Sequence, residues 1–195
     1  MALKIGIAGP VGSGKTSLIE SLTNLLKDKY SLAIVTNDIY TTEDANYLKE
    51  HLDLDSNRIT GVETGGCPHT AIRDDISMNQ KAVVELEQKF NPDIIFVESG
   101  GDNLSATFSY ELIDYYMYII DVAQGADIPR KKGAGLLFSD LLVVNKTDLA
   151  PYVDVDLDLM KSDVSNNRKN KPSVFISKKD KESLNQVVAW IEALI

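Results

Sequence analysis

The residues with the most evident chemistry in this 195-residue chain are Gly9-Pro10-Val11-Gly12-Ser13-Gly14-Lys15-Thr16. They match G-x-x-x-x-G-K-[ST], whose glycines let backbone N–H groups turn inward around phosphate oxygens. The helical stretch expected over Ser17–Lys27 adds the partial positive charge of its N-terminus, with Ser17 in its first turn. Lys15 would reach the β- and γ-phosphates, and the Thr16 hydroxyl would bind Mg²⁺.

A second cluster lies late in the chain, at Asn145-Lys146-Thr147-Asp148. Asp148 can accept two hydrogen bonds from guanine, at N1–H and the exocyclic N2–H. Adenine would set a lone pair against the carboxylate. A site built on such bonds can discriminate by ~10⁴-fold. The nucleotide expected is therefore GTP. Asn145 and Lys146 would brace the loop, and Lys146 could lie along the base. Ser177 is a further base contact or a plain strand-end serine.

Acids close three strands that should end beside the phosphates. Glu98, in Glu98-Ser99-Gly100-Gly101-Asp102, takes the Walker-B place. Asp38 and Glu63 follow Leu32–Val35 and Ile59–Val62, as cation carboxylates or as turn and cap residues. One or two carboxylates with phosphates and water suit Mg²⁺. Lys15, Thr16, Asp38 and Glu98 form the candidate catalytic set. The pairs Gly65-Gly66 and Gly100-Gly101 allow these loops to switch with the γ-phosphate.

Cys67-Pro68-His69 joins a thiolate and an imidazole, with Pro68 restricting the backbone between them. A bland alternative is a half-buried Cys beside a surface His. Cys67 is the only cysteine, and His51 the only other histidine, on a separate helix. One chain therefore cannot supply an S₂N₂ set, whereas two chains across a twofold axis can. A square-planar set suits Ni²⁺ and a tetrahedral one Zn²⁺. Glu63 lies close before Cys67 in sequence, so a γ-phosphate contact there could pull the ligands into position.

These residues need a sheet to bring them together. Leu3–Ala8, Leu32–Val35, Ile59–Val62, Asp93–Val97, Tyr116–Ile120, Leu141–Val144 and Val174–Ile176 are near-continuous in apolar residues, as in parallel strands covered on both faces. Between them run helical faces, one through Ile72, Ile76, Val83, Leu86 and Phe90, another through Leu184, Val187, Val188, Ile191 and Leu194. Thr41 with Asp44 is expected to cap the helix carrying Tyr47 and Leu48, and Asn91-Pro92 to end the Ile72–Phe90 helix. Lys161–Lys171 is the stretch expected to be least ordered. The alternation implies an α/β fold: a three-layer, doubly wound, mostly parallel sheet of the P-loop NTPase kind, in one domain over residues 1–195.

Composition narrows the function classes. A net charge of −9 argues against nucleic acid or anionic lipid as a partner. No apolar run approaches the ~20 residues of a bilayer span, and no leader pattern opens the chain, so a cytoplasmic protein with reduced Cys67 is expected. Asp154-Val155-Asp156-Leu157-Asp158 mimics the start of a calcium loop, but Leu159 stands where glycine is needed; a solvated loop or a helix start fits better. Arg130-Lys131-Lys132 reads as a solvated face or a partner contact.

Val62-Glu63-Thr64-Gly65-Gly66-Cys67-Pro68-His69-Thr70-Ala71-Ile72-Arg73 resembles the signature of UreG, the urease accessory GTPase family. So do the Gly9–Thr16 loop, Thr36–Thr41, Glu98–Phe108 and Asp148-Leu149-Ala150-Pro151-Tyr152. The resemblance spans nearly the whole chain. It implies a SIMIBI-type G domain that hydrolyses GTP and delivers nickel to apo-urease, working with UreF and UreH (UreD) and receiving nickel from UreE. It further implies that Thr16, Asp38 and Glu63 hold Mg²⁺ in the GTP state, and that Cys67 and His69 hold nickel in a GTP-bound homodimer, with Zn²⁺ an alternative ion. The related hydrogenase-maturation GTPases have Cys directly followed by His, whereas Pro68 intervenes here. A hydrogenase-type nickel-insertion GTPase, a P-loop phosphotransferase and a nickel or zinc store are the competing readings; Pro68 distinguishes this chain from the first, the base selector opposes the second and the scarcity of Cys and His the third.

Overall fold

Strands and helices alternate along the chain: β1 (Leu3–Ala8), α1 (Lys15–Leu26), β2 (Leu32–Asp38), α2 (Glu43–His51), β3 (Ile59–Glu63), α3 (Ser77–Phe90), β4 (Ile94–Glu98), β5 (Tyr115–Asp121), α4 (Ile128–Lys131), α5 (Ala134–Phe138), β6 (Leu141–Asn145), α6 (Leu157–Arg168), β7 (Ser173–Phe175) and α7 (Lys181–Glu192). This computed structural model describes residues 2–66, 69–101, 106–169 and 171–195. The strands form one seven-stranded sheet in the order β3-β2-β4-β1-β5-β6-β7. Every neighbouring pair is parallel.

The apolar strand runs are explained by burial on both faces. In β4, Ile94 and Phe96 join a core with Leu18, Ile19 and Leu22 of α1, Leu48 of α2, and Val187 and Ile191 of α7. Ile95 and Val97 point the other way, into a core with Val83 and Leu86 of α3, Leu136 of α5, and Met160 and Val164 of α6. The period of two along a strand feeds two separate cores, which gives three layers. Each expected strand is present. The polar residues placed just beyond β2, β3, β4 and β6 prove to be their last residues: Asp38, Glu63, Glu98 and Asn145.

Parallel register then sets the site. Ile7 pairs with Glu98, Thr36 with Glu98, Asp38 with Glu63, and Asp121 with Asn145. The polar strand ends therefore share one edge with the loop that follows β1. The chain lays β2, β3 and β4 on one side of β1, then β5, β6 and β7 on the other, so this loop sits at the point where the winding reverses.

Three local expectations need correction. The Ile72–Phe90 helix is broken: a π-helical turn covers Thr70–Asp74, and α3 begins afresh at Ser77. Asp75 takes the Ser77 N–H at 3.2 Å and its hydroxyl at 2.7 Å, which favours a turn over continued helix. Lys161–Lys171 is largely ordered as α6. Asp156 caps that helix by accepting from the N–H groups of Asp158 and Leu159, and Met160, Val164 and Arg168 line its buried side. Arg168 is buried because its guanidinium donates to Ser139 O at 3.0 Å, Pro172 O at 2.9 Å and Ser139 Oγ at 2.9 Å; burial pulls its pKa down to about 10. Thr41 and Asp44 do not close a capping box. The Thr41 hydroxyl donates to Asp38 Oδ2 and receives only a long 3.4 Å bond from the Glu43 N–H, while Asp44 turns elsewhere.

Other expectations hold. Asn91 ends α3 in the left-handed conformation, at φ 42°. Asp154 lies in a turn and Asp156 caps α6, which begins at Leu157. Arg130 and Lys131 are solvent-facing and pair with Asp163 and Asp127 at 3.2 and 2.8 Å. Among the described residues, no helix is long and apolar enough to cross a membrane.

Candidate nucleotide and cation site

The loop after β1 is built for close backbone approach. Gly12 and Gly14 have φ of 79° and 96°, which L side chains rarely adopt. A Cβ on Gly14 would lie 2.6 Å from the Asn145 amide nitrogen. Gly14 leads straight into α1, whose first residues are Lys15, Thr16 and Ser17. Lys15 Nζ folds onto the loop itself, donating to the carbonyls of Gly9 at 3.1 Å and Pro10 at 3.4 Å. A phosphate would offer the ammonium a stronger, charged acceptor.

Thr16 lies between two carboxylates. Its hydroxyl is 2.7 Å from Glu98 Oε1 and 3.0 Å from Asp44 Oδ1. One hydroxyl carries one proton and cannot donate to both. Glu98 is fully buried, and burial, reinforced by the charge of Asp44, pushes its pKa up to about 8. A protonated Glu98 can donate to Thr16 while Thr16 donates to Asp44. Among the described residues, Glu98 Oε2 nevertheless has no hydrogen-bond partner. Hydroxyl and carboxylate oxygens with an unsatisfied buried oxygen are the donor set of a hard divalent cation. Among the described residues, no three His, Cys, Asp or Glu side chains cluster as a ready-made cation cage, so phosphate and water would complete such a sphere.

An amide relay holds this edge in place. Asn37 donates to Glu98 O at 2.9 Å and exchanges bonds of 2.8 Å with the buried Asn79 of α3, which also donates to Ala71 O. Asn79, which occupies the vacant step in the α3 apolar face, thus joins the helix to the ends of β2 and β4. The cavity here has a volume of about 750 Å³. Lys15, Thr16, Asn37, Asp38, Asp44 and Gly101 are among its lining residues. Glu63 is exposed at the end of β3 and is not in that lining. His69 is half-buried, just before the π-helical turn, and Cys67 and Pro68 lie outside the described residues.

Asn145 and Lys146 reach the same loop from the other side. Asn145 donates to Ser13 O at 3.0 Å. Lys146 Nζ donates to Gly12 O and pairs with the buried Asp121 at 3.1 Å. Gln124, in the turn after β5, donates to Val11 O at 3.2 Å. Asp148 accepts from Ser177 Oγ at 2.8 Å and pairs with Lys179 at 2.7 Å. Lys179 and Ser177 together hold the Asp148 carboxyl below its usual range. Ser177 is therefore a hydrogen-bond partner of Asp148 at the end of the last strand. From sequence, Asp121 and Lys179 carry no assigned role, Asp44 is expected only as a cap, and Asn37 only falls within the Thr36–Thr41 stretch. Lys179 alone had a visible signal, two residues after Ser177.

The chain matches the model of the CobW/HypB/UreG nucleotide-binding domain over residues 3–175. It is 87% identical over its full length, and that of the relative, to the urease accessory protein UreG of Aliarcobacter butzleri (strain RM4018). It belongs to the CobW/HypB/UreG family. A second member of the family, the urease accessory protein UreG of Lysinibacillus sphaericus (strain C3-41), is 57% identical over 97% of this chain and 91% of its own length. Solved structures agree on the fold. The hydrogenase maturation factor HypB of Archaeoglobus fulgidus superposes with a TM-score of 0.79 at 21% identity, covering 99% of this chain and 90% of that one. HypB of Helicobacter pylori, in complex with nickel, gives 0.81 at 22% identity, covering 98% and 86%. The matched model is that of a nucleotide-binding domain, and the glycine loop lies within the matched residues.

Proposed function

We propose that this chain is a GTP-hydrolysing nickel chaperone for urease, acting throughout as one G domain. The observation that carries the reading is the 87% full-length identity to a urease accessory protein UreG. The site geometry is what such a protein needs. Asp148, with Ser177 beside it, offers guanine its carboxylate. The Gly9–Thr16 loop, with Ser17 in the first turn of α1, receives the phosphates, and Lys15 exchanges two carbonyl contacts for phosphate oxygens.

Thr16, with Asp38 and with Glu63 brought in by movement of the loop after β3, would hold Mg²⁺. That ion, when bound, neutralises phosphate charge and fixes the triphosphate's orientation. Glu98 positions Thr16 from below through its 2.7 Å contact. Water attacks the γ-phosphorus, the bond to the β–γ bridging oxygen breaks, and GDP and inorganic phosphate leave. Among the described residues no arginine or glutamine faces the cavity at the γ-phosphate end, so turnover without partners is slow.

Nickel is the cargo. One Cys67–His69 pair supplies half a coordination set, and the GTP-bound homodimer supplies two halves; zinc would suit the same donors. Hydrolysis then separates the halves and releases the ion to apo-urease, in a complex with UreF and UreH (UreD), after loading by UreE. This is work for a cytoplasmic protein. Lys15→Ala tests the reading in a reconstituted urease-maturation assay. Nucleotide affinity should fall at least ~100-fold and urease activation should be lost. A fully active variant would contradict GTP as the driver.

A further inference from the structure

The phosphate half of the cavity is acidic. Asp38, Glu43, Asp44 and Glu50 line it, against Lys15, the single lining cation among the described residues, whose ammonium is already engaged by loop carbonyls. A nucleoside triphosphate entering alone would add its own negative charge to this field. Asp44 differs from the other acids, because it occupies the Thr16 hydroxyl at 3.0 Å, the oxygen the cation needs. It does so from α2, an element distant in sequence from Thr16, and so ties the position of that helix to the state of the site.

We infer that Asp44 is a gate: its carboxylate takes the place of the divalent cation on Thr16 when the site is empty, and repels phosphate until a cation arrives. The inference rests on nucleotide binding at this site and deepens it. Asp44 is a positioning residue here, and its release from Thr16 frees α2 to move when nucleotide and cation enter together. The gate makes nucleotide binding conditional on the cation, so the protein does not close on a bare nucleotide.

The test uses the full chain and a fluorescent guanine nucleotide, titrated in Mg²⁺ and again in EDTA. Asp44→Asn should bind about tenfold tighter than wild type in EDTA, as expected for loss of one nearby negative charge. In Mg²⁺ its affinity should change less than about threefold, so the Mg²⁺ stimulation shrinks. Glu43→Gln removes the same charge from the same helix without a Thr16 contact, and should shift the EDTA affinity by less than about threefold. Loss of affinity for Asp44→Asn in Mg²⁺ alone would make Asp44 a cation ligand and overturn the gate. Equal gains from both variants would reduce it to a general field and also overturn it, as would no change in EDTA. An adenine nucleotide provides the separation from the reading above: the same shift with no guanine preference would remove the base assignment and leave the gate standing.

Discussion

The two ends of the nucleotide cleft solve the problem of an empty site differently. At the base end, every charge has a counter-charge: Asp148 has Lys179, and Lys146 has Asp121. Asn145 ties that end to the glycine loop. At the phosphate end, carboxylates are in surplus among the described residues, Thr16 is contested by two of them, and Glu98 keeps a buried oxygen without a partner among those residues. The first region is thus closed by ion pairs and hydrogen bonds among its own side chains. On the proposed function, the phosphate end would become balanced only when cation and phosphate arrive. Selectivity would then reside in the first region, and the capacity to switch in the second.

The sharpest break of this contrast is at the base end. Asp148→Asn should shift preference from GTP toward xanthosine triphosphate by about 100-fold, read in a competition assay, with the fold intact. An unchanged preference would remove the base selector. The phosphate end should announce itself in stability instead. Glu98 binds its proton more tightly folded, at a pKa of about 8, than at the unfolded value near 4.5. The native state therefore carries more protons between those values, and stability must fall as pH rises through that window. The nucleotide-free protein should lose on the order of 1–3 kcal/mol from pH 5 to pH 8, and Glu98→Gln should flatten the curve. Denaturant melts at several pH values check this; identical slopes would contradict the buried-acid account. The smallest effect belongs to Lys179→Ala. Its ammonium is largely exposed, so the ion pair with Asp148 should change GTP affinity by less than about threefold in isothermal titration.

Much of this was legible from residue order. Strands covered on both faces betray themselves as continuous apolar runs, so β1 to β7 were readable almost to the residue, and so was the glycine loop between β1 and α1. The contacts that distinguish the two ends were not. Asp44 reads locally as a capping residue, yet its partner Thr16 lies on another helix. Asp121 reads as a strand end, and only the register of β5 against β6 brings it near Lys146. The α6 region reads as loose because it is polar and rich in Asn and Lys, and its buried side includes Arg168, whose guanidinium is satisfied by carbonyls of Ser139 and Pro172. The break before α3 was hidden because Ile72 and Val83 feed the same core on either side of it. Periodicity reports which side is buried, not whether the helix is continuous.

The central claim is that a cation-dependent nucleotide site joins two half-sets of nickel ligands. Size-exclusion chromatography with light scattering, over a grid of nickel and a non-hydrolysable GTP analogue with Mg²⁺, tests it most directly. The account predicts a mass near the 21.5 kDa of one chain everywhere except where nickel and analogue are both present, where it doubles, and no doubling for Cys67→Ala. A Cys67→Ala dimer in that cell, or a single chain retaining nickel regardless of nucleotide, would contradict it.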